Sequence, residues 1–403
     1  MSRSVCLFVL LLMSVWATLV GAPRAAAQAA NEGVVTEMVD RYGFPPPIRV
    51  YVTGFSPALT DVMRTDLMFM GFTNVPQSQA EYVVRGTSGG GKVEARLIDA
   101  ASNQQILGKA YTGSDERLLV HALSDDIAKN RTGRPGIARS RIAFRVDYVK
   151  GKHSEVFVAD YDGFNAKPAT SDKLWTVAPC WAGSGMLFYS TYHERGGPKI
   201  YYHQLSSGKR GMITPYGGSN ISPAVSRDGT KIAMILSKGG SPDLYVADLN
   251  GGDLKRLTTT KESESSPCWG PDSRTIMFVS RASGRARLYT IPMTGGTMRP
   301  FLINNVPNVT EPDWSPDGKL IAFTTQYGGN FVINIAEYKP GASIQAVQIA
   351  AGEDPSWAGN SRALIVTRRN GDTKQLSLLD VPTKQTKTMP RISRSNSQPS
   401  WRK

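Results

Sequence analysis

Pro312-Asp-Trp-Ser-Pro-Asp-Gly-Lys-Leu-Ile-Ala-Phe323 decides the fold. Asp317-Gly318 supplies the turn conformation that joins two antiparallel strands, and Ile321-Ala-Phe323 opens the second of them. Its leading Pro-x-Trp returns as Pro179-Cys-Trp181, Pro267-Cys-Trp269, Pro355-Ser-Trp357 and Pro399-Ser-Trp401, with Pro223-Ala-Val225 as a variant. Successive prolines are 44, 44, 45, 43 and 44 residues apart, a beat that marks a repeat architecture. Ser226-Arg-Asp-Gly229 followed by Ile232-Ala-Met234 echoes the turn and strand, Leu244-Tyr-Val-Ala-Asp248 gives a third strand, and Lys255-Arg-Leu257 after Gly251-Gly252 gives a fourth. Four short strands per repeat, alternating with a period of two, read as one propeller blade and exclude helical solenoids.

The ends set the blade count. Arg139 to Thr170 supplies Ile142-Ala-Phe144 and Val156-Phe-Val-Ala-Asp160, the later strands of a unit, with no Pro-x-Trp before them. Pro399-Ser-Trp401 is the missing piece. The reading is an all-β six-bladed β-propeller over residues 137–403, closed by the C-terminal strand so that no sheet edge is left open. Cys180 and Cys268 then fall two blades apart, too far for a disulfide, and are expected to be free, buried thiols. The repeated tryptophans are expected to pack between blades.

In front of the repeats the pattern changes. Ile48 to Val52 reads as a strand, Ala58 to Met70 as a helix, Tyr82 to Val84 as a strand, Val93 to Ile98 with Gln105 to Lys109 as a hairpin, and Leu118 to Asn130 as a helix capped by Ser114 or Asp115. This is a small α/β domain over residues 28–136, with an exposed arm at 28–47 that ends in Pro45-Pro46-Pro47. Gly86-Thr-Ser-Gly-Gly-Gly-Lys92 has the glycine and lysine spacing of a phosphate loop, but Val93 stands where Ser or Thr would hold magnesium, so it reads as a glycine hairpin. Arg3, the apolar run Val5 to Val20 and Ala25-Ala26-Ala27 read as a signal peptide over residues 1–27, which places the mature chain in the periplasm.

A formal charge of +14 suggests nucleic acid, yet export and the scatter of the basic residues argue for an anionic surface or an acidic protein instead. Four histidines without a helical i,i+4 pair give no metal site, no cofactor is expected, and no Gly-x-Ser-x-Gly elbow occurs. Glu353 and Asp354 could in principle do acid-base work, but adjacent acids point to different sides of a strand and read as a solvated loop. No catalytic residue is assigned.

The stretch His121 to Ile127, through Thr132-Gly-Arg-Pro-Gly-Ile137 and Arg141-Ile-Ala-Phe144, resembles the domain junction of the TolB family, the periplasmic component of the Tol-Pal system; with the Pro-x-Trp-Ser-x-Asp-Gly repeats, the resemblance covers most of residues 48–403. It implies a non-enzymatic adaptor whose propeller binds a Pal-like outer-membrane lipoprotein and whose N-terminal region engages a TolA-like inner-membrane protein, supporting outer-membrane integrity and cell division. The alternative from another class is a periplasmic propeller hydrolase or lyase acting on cell-wall sugar or peptide.

Topology places a partner. Loops entering the first strand of each blade emerge beside loops joining the second and third. The first set holds Asn220, Glu264, Asn308, Glu311, Glu353, Asp354 and Asn396; the second holds Lys150, Lys152, Arg195, Lys238, Arg281, Arg285, Arg368 and Arg369. The expectation is an acidic mouth inside a basic rim, on which a folded domain docks.

Overall fold

The structure, a computed structural model, describes residues 41–403 apart from 149–152, 184, 194–196 and 305. The expected signal peptide, most of the expected arm, and Lys150, Lys152 and Arg195 lie outside the described residues. Pro47–Val381 and Gln385–Lys403 form one compact unit, to which all the features below belong.

Its first part is the small α/β region. Strands β1 (Ile48–Thr53), β2 (Phe72–Asn74), β3 (Tyr82–Gly89), β4 (Lys92–Asp99) and β5 (Gln105–Thr112) form one sheet in the order β2-β1-β3-β4-β5. β1 runs parallel to β2 and β3, and β3, β4 and β5 are antiparallel in turn. Gly90 and Gly91, at φ 62° and 74°, make the tight turn from β3 to β4, so the glycine–lysine stretch is a hairpin. Helix α1 (Pro57–Phe69) opens on a proline, whose missing N–H costs nothing there. Helix α2 (Glu116–Thr132) starts two residues before the expected Leu118, because the Asp115 carboxylate accepts from the N–H groups of Arg117 and Leu118. Gly133 ends it in the left-handed conformation. Met63, Leu67, Val84, Leu97, Val120, Leu123 and Ile127 make the shared core.

The second part is a β-propeller. Six strands carry the repeated proline: Trp175–Ala182, Asn220–Val225, Glu264–Trp269, Val309–Trp314, Glu353–Trp357 and Ser395–Trp401. Each shifts register against its neighbour at the residue before the proline. Those residues, Ala178, Ser222, Ser266, Glu311, Asp354 and Gln398, all have φ between 49° and 55°. A proline cannot donate to a ladder, so it is tolerated in a sheet only at an edge or a bulge, and here every one follows a bulge.

Where six separate blades were expected, four stand alone as four-stranded sheets, eight further strands share one sheet, and Ile303–Asn304 pairs separately with Ile344–Gln345. The reason is a parallel bridge, Ser154 to Trp175, which the Ser154 hydroxyl reinforces by donating to the Thr176 carbonyl at 2.8 Å. In that same sheet Ser395–Trp401 pairs antiparallel with Arg141–Asp147. The indole N–H groups of Trp181, Trp269 and Trp357 donate to the carbonyls of Ser400, Ala224 and Asp313 on neighbouring proline strands, at 3.1, 2.8 and 3.2 Å. Large apolar rings fill the wedge between strands while their one polar atom finds a fixed acceptor. Cys180 and Cys268 are both free, but only Cys268 is fully buried; Cys180 is half-buried.

Candidate functional site

The six prolines line one cavity of about 300 Å³. On its Trp side, Arg227 reaches two repeats along to donate to the Trp314 carbonyl at 2.8 Å, and Lys403 binds the Asp313 carboxylate at 2.5 and 2.6 Å. Burial holds the Lys403 ammonium down at about 8 despite that carboxylate.

The bulged residues before the prolines form a collar in which side chains bridge strand to strand. Glu311 accepts from the Asp354 N–H at 2.8 Å, Asp354 from the Gln398 N–H at 3.2 Å, and the Gln398 amide oxygen from the Ala178 N–H at 3.0 Å. A bulge turns each backbone N–H out of its own ladder, and the preceding repeat supplies the acceptor. Burial, and then the neighbouring Asp354 carboxylate, push the Glu311 carboxyl up to about 8; Asp354 is raised by burial and then by Glu353.

The expected acidic mouth is corrected here. Asn220 is buried and its amide donates to the carbonyls of Pro198, Tyr216 and Gly218. Glu264 is 2% exposed and accepts from Thr260 and Ser280 hydroxyls at 2.8 and 2.9 Å. Asn396 is buried against the Pro390 carbonyl. Glu353 is no solvated loop residue: it is buried, gripped by both arms of Arg369 and by Lys374 at 2.6 Å. These residues sit at the starts of strands rather than in the loops before them, so mouth and rim are partly one ion-paired structure. Asn308, Arg281, Arg285 and Arg369 are exposed, as is Lys238 over the Tyr216 ring, while Arg368 is half-buried. The register puts Glu264 opposite Ser280 and Glu353 opposite Thr367, so Arg281 leaves its strand at the collar end, while Arg368 stays in its strand, paired with Gln375.

Sequence reasoning missed a buried junction between α1, α2 and the propeller. Asp66 receives the Tyr161 hydroxyl at 2.5 Å and lies 2.9 Å from Nδ1 of His121, all three fully buried, and Arg117 pairs with Asp162 beside them. Burial works against the imidazolium, but the Asp66 and Asp162 carboxylates together outweigh it, and the His121 pKa is raised. Its only sequence signal was a histidine on the apolar side of α2. Among the described residues no cluster of His, Cys, Asp and Glu could hold a metal ion, and no helix is long and apolar enough to cross a membrane.

Comparison with known proteins gives the same architecture a family. Residues 129–403 match the family described as TolB beta propeller domain. A Tol-Pal system protein TolB of Desulfosudis oleivorans is 32% identical over 151 residues, 36% of this chain and 34% of that protein. One of Desulfotalea psychrophila is 36% identical over 151 residues, with the same shares. The matches thus span about a third of the length of these curated relatives. The crystal structure of TolB from Acinetobacter baumannii superimposes with a TM-score of 0.78 at 24% identity, covering 89% of this chain and 97% of that one. A collar of bulged proline strands, indoles that tie strand to strand, and a family match over two thirds of the residues converge: the chain belongs to the TolB β-propeller family.

Proposed function

We propose that the chain is a non-enzymatic periplasmic adaptor of the Tol-Pal system. It uses the collar end of its propeller to dock a Pal-like outer-membrane lipoprotein, and its N-terminal arm to engage a TolA-like inner-membrane protein, supporting outer-membrane integrity and division. In this reading residues 1–27 are a signal peptide, 28–136 the α/β domain and 137–403 the propeller. The propeller counts six blades, two of them fused at the Ser154–Trp175 bridge, and Ser395–Trp401 shuts the ring.

The observation that carries the reading is the family match together with a rigid, hydrogen-bonded collar flanked by exposed cations. Preorganised polar groups on a stiff scaffold bind without paying to be ordered. Because Asn220, Glu264, Glu353 and Asn396 are buried, the contact falls to Asn308, Glu311, Asp354, Arg281, Arg285, Arg368 and Arg369. Charge on the exposed arginines steers the approach. The test is co-purification of a Pal-like protein with the full chain and with an Arg281→Glu/Arg285→Glu variant. The double reversal should weaken capture at least tenfold and make it less salt-sensitive; undiminished capture would move the contact off this end of the propeller.

A further inference from the structure

A second polar pocket lies on the sheet that carries Trp175–Ala182, beside the loop that enters this strand and the loop that leaves Met186–Tyr192. It has a volume of about 320 Å³, and its walls include Asp172, Thr191, His193, Tyr201, Arg210 and Leu174. Tyr201 stacks over the buried Tyr189 ring, with planes 10° apart, and its hydroxyl is 3.0 Å from Nε2 of the exposed His193. Opposite, Arg210 grips both oxygens of Asp172 and donates through Nε to the Tyr189 hydroxyl at 2.9 Å. Thr191 lines the pocket, is 2% exposed, and among the described residues its hydroxyl has no partner; nor does the hydroxyl of Thr176, directly across the ladder.

A buried hydroxyl left unpaired costs free energy, so a ligand hydroxyl that reaches Thr191 gains a partner that is not already engaged. The pocket's chemistry narrows that group. Among the described walls Arg210 and Asp172 neutralise each other, which favours a neutral ligand. What remains is one aromatic wall, a fixed array of planar donors and acceptors, and a recessed hydroxyl. Such an array matches adjacent hydroxyls on a ring whose apolar C–H face rests on an aromatic plane. The volume sits at the small end of ligand pockets, roughly 300–1,000 Å³, which suits one ring rather than a chain.

We propose that this pocket binds a single neutral pyranose sugar, with Tyr201 as the stacking wall, Asp172, Arg210 and His193 on the hydroxyls, and Thr191 completing the deepest contact. The inference goes beyond the adaptor reading and does not depend on it: a chain that captures no lipoprotein could still bind sugar here.

The test is ligand-observed saturation-transfer NMR and calorimetry on the full chain with glucose, galactose, N-acetylglucosamine and glucuronate. At least one neutral sugar should bind saturably. Tyr201→Ala and His193→Ala should abolish the signal, and Thr191→Val, which keeps the side-chain volume, should weaken it about fivefold, the size of one neutral hydrogen bond. His193 is exposed, so its variant is expected to melt like the parent and keeps the test clear of misfolding. Three results would overturn the proposal: no saturable binding of any neutral sugar, binding untouched by these substitutions, or a preference for glucuronate that follows Arg210. A disaccharide that binds far more tightly than its monomer would overturn the single-ring claim.

Discussion

The collar has two halves built on one backbone. Ala178, Ser222 and Ser266 share the bulged left-handed conformation of Glu311, Asp354 and Gln398, yet only the second trio reaches the next strand. The first half is open backbone with short side chains. The second is a chain of carboxylate and amide contacts, with one carboxyl held near 8. The repeat therefore fixes where the main chain goes, while a single position per repeat decides whether that place is inert or titratable. A partner that reads the collar meets one acidic, rigid side and one plain side, and so has a defined orientation.

The comparison depends on the pairing of Ser395–Trp401 with Arg141–Asp147, and the largest effect should come from removing it. A chain ended at Met389 lacks Ser395–Trp401, hence the partner of Arg141–Asp147 and both collar bonds of Gln398. It should lose the cooperative unfolding transition in urea; a melt like that of the full chain would refute the closed reading. Next in size, Trp357→Ala removes a fully buried indole and its bond to Asp313, and should cost about 3–5 kcal/mol by chemical denaturation.

Proton linkage separates the halves further. A carboxyl whose folded pKa is raised from about 4.5 to about 8 binds more protons folded than unfolded between those values. Stability from Glu311 is thus fully present below pH 4.5 and lost as pH rises through 8. His121, also raised, pulls the same way: its contribution is present below its unfolded pKa and is lost as pH rises through the folded one. Unfolding free energy should therefore fall between pH 5 and pH 8, and Glu311→Gln should flatten that slope, whereas Ser266→Ala in the plain half should leave it unchanged. The smallest contrast is Gln398→Ala against Ser222→Ala: about 1 kcal/mol for the lost acceptor in the first, near zero in the second.

Much of this was legible in the residues. The proline beat and the Asp-Gly turns gave strand centres, and the strand-and-helix pattern before them gave the α/β region. Strand ends were not legible. Glu264 and Asn220 looked like loop residues because periodicity fades over the first residue or two of a strand, yet their ladders to Ser280 and Leu236 begin there and bury them. The collar was hidden for a stronger reason: a residue before proline is ordinarily pushed to extended backbone, so no local rule places six of them at positive φ. β2 went unread because three residues, Phe72–Asn74, are too few to alternate. The Asp66–His121–Tyr161 junction joins residues up to 95 positions apart, and only the packed fold brings them together.

The central claim is that a folded partner docks at the collar end of the propeller. Hydrogen–deuterium exchange of the full chain, with and without a purified Pal-like lipoprotein, tests it most directly. The account predicts added protection at the Arg281–Arg285 loop and around Glu311 and Asp354, with the Ser226–Gly229 and Ser315–Gly318 turns unchanged; protection confined to those turns would contradict it.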